Sequence, residues 1–588
     1  MKKIRILSIL IVFVLLAELL PPVAFEVKAA GGYYEITDVL DLYRMSKDLS
    51  GTYVLKNDID LKGLPWTPIG SDDTPFTGQL FGNGHVISDF YVEITAEGGN
   101  ALAGFFGNVS HATITELAII DADIRAFTYN NDSDTRCFAS AGGIAGSIND
   151  YTTISRCCFY GILRASGGKV NYARTGGIAS GVHSGSIISD CFACADMICR
   201  TETANAMAGG ICAWLSDANI ERCYFEGDIA VPDDCYTYAA GINASGNKDG
   251  RVEGCVSAAN SLSLQAAVSD HCVYNPVGCF GGEYADNAYR EGITVSADIV
   301  GESSSQRISE EDLYDSSFYE GLGWYFGPGG WVDTYRCPRL AGVGRRIILG
   351  EDTLNVENLN IGTIDYYEYF DVINGETGMN EGQLRANMYG DGLCFGLCAL
   401  TECLLNEKID VREITQSGYI SDIDFSNDSV NELGVKQFTR YLHVMQYDDD
   451  YRGDGYCTTM QGVFDTVKAY VDGVSDEVPI LKVKSESWWT DWVHAIIGID
   501  YNEYDDRTEI LCYDPNYPKG ENVLTLYKDS NGEFVSWDFY FFPIIVKLSS
   551  EKPGNLLKFY ENSSRIYDDL MEEQSVFMTR EEMNNANS

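Results

Sequence analysis

Hydrophobic positions follow two different rules along this chain. Between Tyr33 and about Val343 they fall in short β-branched runs cut by glycine, and the runs recur. ISRCCF, ISDCFA, IERCYF and VEGCVS begin at Ile154, Ile188, Ile220 and Val252, 32 to 34 residues apart. A second track keeps step, with AGGIAGS, TGGIASG, AGGICAW and AAGINAS beginning at Ala141, Thr175, Ala208 and Ala239. ALAGFFGNV and ITELAII read as an earlier, degenerate copy. Runs this short cannot bury an apolar face alone, so the repeat predicts the coils of a right-handed parallel β-helix, each stacked on the last. A β-propeller is the structural alternative, but it needs longer blades of four strands.

The repeat is lost across Gly344 to Asn360, and beyond it helical spacing alternates with strand spacing, as in an α+β domain. In GDGLCFGLCALTECLL a Gly-Asp-Gly turn runs into Leu397, Leu400, Cys403 and Leu404 at helical spacing, so a helix is expected to begin at Cys394. Further on, Ile496, Ile497 and Ile499 predict a strand apolar on both faces, followed by the polar turn NEYDDRTE and a second strand, ILCYD. With the turn centred near Tyr504 and Asp505, antiparallel pairing sets His494 opposite Pro515 and brings Asp514 within about one residue of the imidazole. The stretch after Ser550, ending in TREEMNNANS, is polar and reads as a helix fraying into disorder.

At the N-terminus Lys2, Lys3 and Arg5 precede an apolar run from Ile6 to Leu20 and a small-residue site, Val27-Lys28-Ala29, which predicts a secretory signal peptide cut near Ala29 or Ala30. That run is short for a spanning helix and no later run is longer, so no membrane span is expected after cleavage. The chain has 588 residues, with Lys+Arg 41 against Asp+Glu 87 and a formal charge of −46, enough for several domains. A charge of this size repels phosphate backbones, which argues against nucleic acid as a partner, and suits solubility outside the cell. The expected division is a signal peptide over 1–29, the β-helix over 30–345, a linker over 346–365, the α+β domain over 366–550 and a polar tail over 551–588.

The chemistry gathers in the second half. A cysteine at a helix start meets unpaired backbone N–H groups and the positive end of the macrodipole, and both favour thiolate over thiol. His494 supplies a base, and a carboxylate beside it, Asp514, supplies the group that fixes its tautomer. His443, in KQFTRYLHVMQY, has no such context and reads as a surface or packed helix residue. Cys394 in GxCFGxC, then His-Ala, then YDPNYP resembles the papain-like cysteine peptidases, especially bacterial secreted ones, over roughly Tyr366 to Phe542. The resemblance implies Cys394 as nucleophile, His494 as general base and Asp514 as orienting residue, with Asn516 the alternative for the last role. Papain has Gln six residues before its Cys, where this chain has Met388; Asn387 is the first oxyanion candidate and Gln383 the second. The first half resembles the glycine-rich GLUG repeats of bacterial surface and secreted proteins, including the opening GTYVLKNDIDLKGLPWTPIG to FTGQLFGNGHVISDF, expected to cap the solenoid's start, and the closing WVDTYRCPRL.

Of 18 cysteines, 13 precede Gly350. Equivalent positions in stacked coils point the same way, so Cys157, Cys191, Cys223 and Cys255 are expected as an interior stack of thiols, with Cys194, Cys199 and Cys235 left to pair in loops. No cofactor or metal motif is read: the C-x₂-C at Cys191 and Cys194 has no matching pair, and DDDYRGDG at Asp448 to Gly455 lacks EF-hand spacing. The favoured function is a secreted thiol peptidase or related acyl-transfer enzyme acting on a peptide or protein, with the β-helix offering contacts to cell-surface or host glycans or proteins. A surface adhesin with an inactive papain-like module is the first alternative, and a transglutaminase-like enzyme the second. With neither a lipidated Cys nor an LPxTG-like tail, any surface association is expected to be noncovalent.

Overall fold

The computed structural model describes residues 32–129, 136–168, 171–202, 204–231, 236–263, 272–279, 282–295, 305–310, 312–349, 351–355, 393–415, 417, 419–425, 435, 438–439, 442–443, 459–487, 490–520, 522–541, 546–549 and 556–559. The signal-peptide expectation, Cys235, Asn387, Gln383 and the DDDYRGDG stretch lie outside them.

The first half is a stack of parallel coils. One coil runs through Phe138–Gly142, Ala145–Asn149, Thr153–Ser155 and Cys158–Gly167. Its successors pair beside it in parallel, building sheets of six, five, nine and ten strands. Both sequence tracks are ladders of this stack: Ala141 pairs Thr175, then Ala208, then Ala239, and Ile154 pairs Ile188, then Ile220, then Val252. The degenerate copy joins in the same register, Ala103 beside Ala141 and Ile114 beside Ile154. This parallel architecture replaces the propeller alternative. The opening segment is itself coil, since Thr52–Leu55 and Gln79–Phe81 belong to the nine-stranded sheet. Capping falls to the preceding helix Val39–Met45, whose Asp38 side chain accepts from the Leu40 and Asp41 N–H groups while Leu42 and Met45 are buried on the first coil.

The Gly-Gly of three successive repeats, at Gly142, Gly176 and Gly209, has a steric reason. A Cβ on Gly142, Gly176 or Gly209 would stand 2.0, 2.1 or 1.9 Å from the carbonyl oxygen of Ala145, Ala179 or Cys212, on the next strand round the corner. A Cβ on Gly143 would stand 2.4 Å from Phe159 in the core. The close approach of the neighbouring strand therefore demands glycine at this corner.

Cys157, Cys191, Cys223 and Cys255 are fully buried free thiols at one corner. Each thiol donates to the carbonyl two residues back, and the Cys157 and Cys223 N–H groups donate to the Cys191 and Cys255 sulfurs at 3.5 and 3.4 Å. Cys194 and Cys199 sit in the strand Phe192–Thr201 rather than in loops, because the strand runs past the expected turn. We expect Cys223→Ser to cost roughly 1–3 kcal/mol in denaturant melts, a stronger dipole being left among apolar neighbours; unreduced peptide maps should contain no Cys191–Cys223 bridge.

After the last coil the chain turns back along the outer face of the ten-stranded sheet. This strap, from Ile308 to Val343, covers the stacked rings of Tyr160, Phe192 and Tyr224, whose centroids are 5.2 and 5.4 Å apart. The Trp324 indole donates to Gly254 O at 2.7 Å, Arg336 pairs Glu226 at 2.6 Å, and Arg156 donates to Gly330 O and Ala341 O. Gly344 N–H donates to Gly84 O in an early coil. The closing WVDTYRCPRL motif belongs to this strap.

The second half is a seven-stranded sheet in the order Val546–Ser549, Phe534–Phe541, Asn522–Lys528, Arg507–Tyr513, Thr490–Glu503, Ile480–Ser487, Leu556–Phe559, all antiparallel. Ala495, Ile497, Ile499 and Tyr513 pack toward the helix Cys394–Leu405, while Ile496, Ile510 and Cys512 pack toward the helix Met460–Val471. Two expectations change. Leu556–Phe559 lies in the presumed polar tail yet forms a strand against Leu481 to Lys484, its LLKF run completing an otherwise open edge. The start of the expected linker is packed, with Ile347 and Leu354 fully buried and Asp352 held by Arg339 at 2.7 Å and the Tyr335 hydroxyl at 2.8 Å.

The halves also meet at Asp58 and Asp500. The Asp58 N–H donates to Asn502 Oδ1 at 2.7 Å, the Asp58 carboxyl takes the His85 ring at 3.2 Å, and Arg345 stands 3.8 Å from Asp500. Burial and the facing Asp58 hold the Asp500 carboxyl well above its ordinary range, Arg345 and the Tyr501 N–H opposing only in part. The folded protein thus keeps a proton that the unfolded chain releases, so this site's contribution to stability is greatest at acid pH and declines as pH rises from about 4 through the folded value. Asp500→Asn is expected to stabilise by about 1 kcal/mol near neutral pH and to do little near pH 4; melting curves across that range would check it.

Candidate active site

The helix Cys394–Leu405 is buried on nearly every side, from Cys394 through Leu404. Helices of this kind are set by close packing rather than by an amphipathic stripe. Gly396 permits it: a Cβ there would stand 2.2 Å from Thr439 O and 2.9 Å from His443 Cβ. The Gly396 N–H donates to His443 Nδ1 at 3.4 Å. Burial pushes the His443 pKa down to about 4, against a bond to the Leu393 backbone, so the ring is a neutral acceptor for an otherwise open N–H in the helix's first turn. His443, expected as a surface or packed residue, is packed, and against the helix that begins at Cys394. Nothing in its local pattern announces that, because the contact is made across 47 residues.

The hairpin brings Asp514 and His494 together. Its strands pair Glu503 with Thr508 and Ile497 with Tyr513, with an irregularity between Gly498 and Asp500, so the turn sits slightly later than expected while Asp514 still follows the second strand directly. His494 Nε2 lies 2.6 Å from Asp514 Oδ1. The same oxygen accepts the Asn516 N–H at 2.8 Å, and the Tyr517 N–H donates to Asp514 O at 2.8 Å. Asp-Pro-Asn is therefore a turn in which Asp closes an Asx-type bond and Pro presets the backbone, fixing the carboxylate before it meets the imidazole. Asn516 serves Asp514 through its backbone.

Cys394 hydrogen-bonds the His494 side chain, and all three residues are buried, at 8%, 2% and 0% exposure for Cys394, His494 and Asp514. Burial opposes the Cys394 thiolate, yet the bond and charge of His494, with the Ala495 and Phe395 backbone, hold the thiol below its ordinary value. Burial likewise opposes a charged His494, and the Asp514 carboxylate, followed by Cys394, overcomes it and raises the imidazole to about 10. The two shifts point the same way, each favouring the thiolate–imidazolium pair over thiol and neutral imidazole. Cys398, one turn on and fully buried, is the contrast: burial, with Cys394 and Asp514 near, pushes its thiol far up. The backbone around Ala495 and Phe395 is a part of the site that residue types do not reveal.

No known protein family matches the chain, and no curated protein matches it. Among solved structures it overlaps a Bacteroides ovatus protein described as a "putative immunoglobulin A1 protease", at 17% identity and a TM-score of 0.32, over 53% of this chain and 92% of that one. It overlaps another, described as "IgA1 Protease", at 14% identity and a TM-score of 0.25, over 48% of this chain and 24% of that one, so it spans about a quarter of that protein. Overlaps this low leave the chemistry to the geometry.

Proposed function

We propose that the second half is a papain-like cysteine peptidase, or a closely related thiol acyl-transfer enzyme, of a secreted protein. The observation that carries this is the chain from Cys394 to His494 to Asp514, with the thiol's pKa lowered and the imidazole's raised. The Cys394 thiolate attacks a peptide carbonyl and the carbonyl electron pair moves to oxygen. His494 gives its proton to the departing amine, leaving an acyl-enzyme, then takes a proton from the water that releases the acid. Asp514 keeps Nε2 protonated, so the other ring nitrogen faces sulfur. The Cys394 N–H, with Asn387 or Gln383, is assigned to the oxyanion. An amine in place of water would give transamidation from the same acyl-enzyme, and product analysis with an added amine separates the two.

The test is an electrophilic thiol probe on the full secreted chain, followed by peptide mapping. Labelling is expected at Cys394, to rise with pH through a value below the ordinary ~8.5 of a thiol, and to survive Cys398→Ala. Catalytic turnover should fall as His494 loses its proton at about 10. Labelling that vanishes in Cys398→Ala but persists in Cys394→Ala would mean that the nucleophile is wrongly assigned. Failure to label any cysteine under reducing conditions would favour an adhesin with an inactive module.

A further inference from the structure

The helix that carries Cys394 starts without a cap of its own. Leu393 holds the N-cap position and, being leucine, offers no side-chain acceptor. Ser, Thr, Asp or Asn usually stand there, because their side chains accept from the second or third N–H of the helix. Elsewhere in this half that rule is kept: the Asp410 side chain accepts the Arg412 N–H, and that of Thr459 the Gly462 N–H. At Cys394–Leu405 the acceptor comes from a distant residue. The Gly396 N–H, third in the helix, donates to His443 Nδ1 at 3.4 Å. His443 follows Val435, Phe438, Thr439 and Leu442 at helical spacing, all buried and packed on the Cys394–Leu405 helix. An imidazole in such a face costs desolvation that an apolar side chain would avoid, and the bond to Gly396 offsets it.

A remote, uncharged cap suits a helix that starts on a nucleophile. The first two N–H groups have other work: the Phe395 backbone helps hold the Cys394 thiol below its ordinary value, and the Cys394 N–H is assigned to the oxyanion. A capping side chain at position 393 would reach the second or third N–H, and so compete with the sulfur for Phe395. Aspartate, among the strongest caps, would also set a negative charge beside the thiolate and oppose its formation. His443 avoids both conflicts. It approaches from another segment, takes only the third N–H, and burial keeps its ring neutral.

We infer that His443 is a positioning residue for the thiol chemistry proposed above, and the inference rests on that reading: as a neutral acceptor it pins the Gly396 N–H, leaving the Phe395 N–H to the sulfur and the Cys394 N–H to the oxyanion. The test compares the full secreted chain with its His443→Asn and His443→Leu variants. Asparagine carries an uncharged acceptor oxygen as many bonds from the backbone as Nδ1, whereas leucine fills the space and accepts nothing. The readout is the rate of Cys394 alkylation by iodoacetamide against pH, followed by peptide mapping. Its midpoint tracks the thiolate, which a merely structural residue would leave alone. In His443→Leu the plateau rate is expected to fall about tenfold, the worth of one hydrogen bond, and the midpoint to rise as the Phe395 N–H leaves the sulfur. His443→Asn should recover most of both. Wild-type protein labelled at no cysteine would overturn the enzyme reading and this inference with it. Labelling at Cys394 with an unchanged profile in His443→Leu, a midpoint that falls there, or His443→Asn behaving as His443→Leu does, would overturn this inference alone. Ring-nitrogen NMR decides even if His443→Leu fails to fold. The chain has His 6, and the signal lost in His443→Asn is expected to show an unprotonated, hydrogen-bonded Nδ1 at neutral pH; an Nδ1 that carries the proton would overturn the assignment.

Discussion

Replacing Asp514 with Asn is expected to lower kcat/KM by on the order of 10 to 100 fold, against essentially complete loss for His494→Ala. Asp514 Oδ1 holds His494 Nε2 at 2.6 Å, so the amide keeps the shape but no longer imposes the tautomer. In serine triads this change costs about 10⁴ in rate. A thiol is intrinsically more acidic, and here backbone groups of Ala495 and Phe395 share in stabilising its charge, so dependence on the third member should be milder. Asn516→Ala should do little, because its backbone N–H is what serves Asp514. Steady-state kinetics on a cleaved peptide would check all three. Silence of Asp514→Asn together with damage from Asn516→Ala would transfer the orienting role to Asn516.

Gly396→Ala is expected to disable the site through the scaffold. Helix propensity favours alanine over glycine by about 1 kcal/mol. The added methyl, however, would stand 2.2 Å from Thr439 O, and a carbonyl cannot rotate away as a side chain can. Overpacking of that kind costs about 1–3 kcal/mol and sometimes more, so the clash should win. The helix start must shift, and Cys394 with it. We expect lower thermal stability and a larger fall in kcat/KM than the stability loss accounts for, with no rescue by Thr439→Ala. Unchanged kinetics would mean that the helix start does not depend on this contact.

What the chain discloses before folding depends on how local its causes are. The coil register was legible because successive coils repeat the same demands: glycine at one corner, an isoleucine or valine in the short strand further on, and a thiol at the corner just after it. Asp514 beside His494 was legible because a hairpin turns sequence spacing into pairing, even with the irregularity after Gly498. Other features depend on contacts that no window contains. His443 meets Gly396 across 47 residues, and Asp58 meets Asn502 across 444. Leu556–Phe559 looks like part of a polar tail until an open strand edge is available to receive it. The strap carries apolar and aromatic residues like the coils around it, and only the bare outer face of Tyr160, Phe192 and Tyr224 explains where they go.

That strap changes how the solenoid can come apart. A free stack of coils is close to a one-dimensional chain of neighbours, in which an end coil frays and melting spreads inward step by step. Here residues that follow the last coil hold Gly254, Glu226, Arg156 and finally Gly84, so distant coils share a tether as well as a neighbour. Fraying at the start would also strip Asp58 from Asn502 in the second half. The connectivity is closer to a loop than to a line, and a loop has no end from which to unzip. Losses that an open solenoid would suffer one coil at a time are here joined to the integrity of the sheet that carries His494.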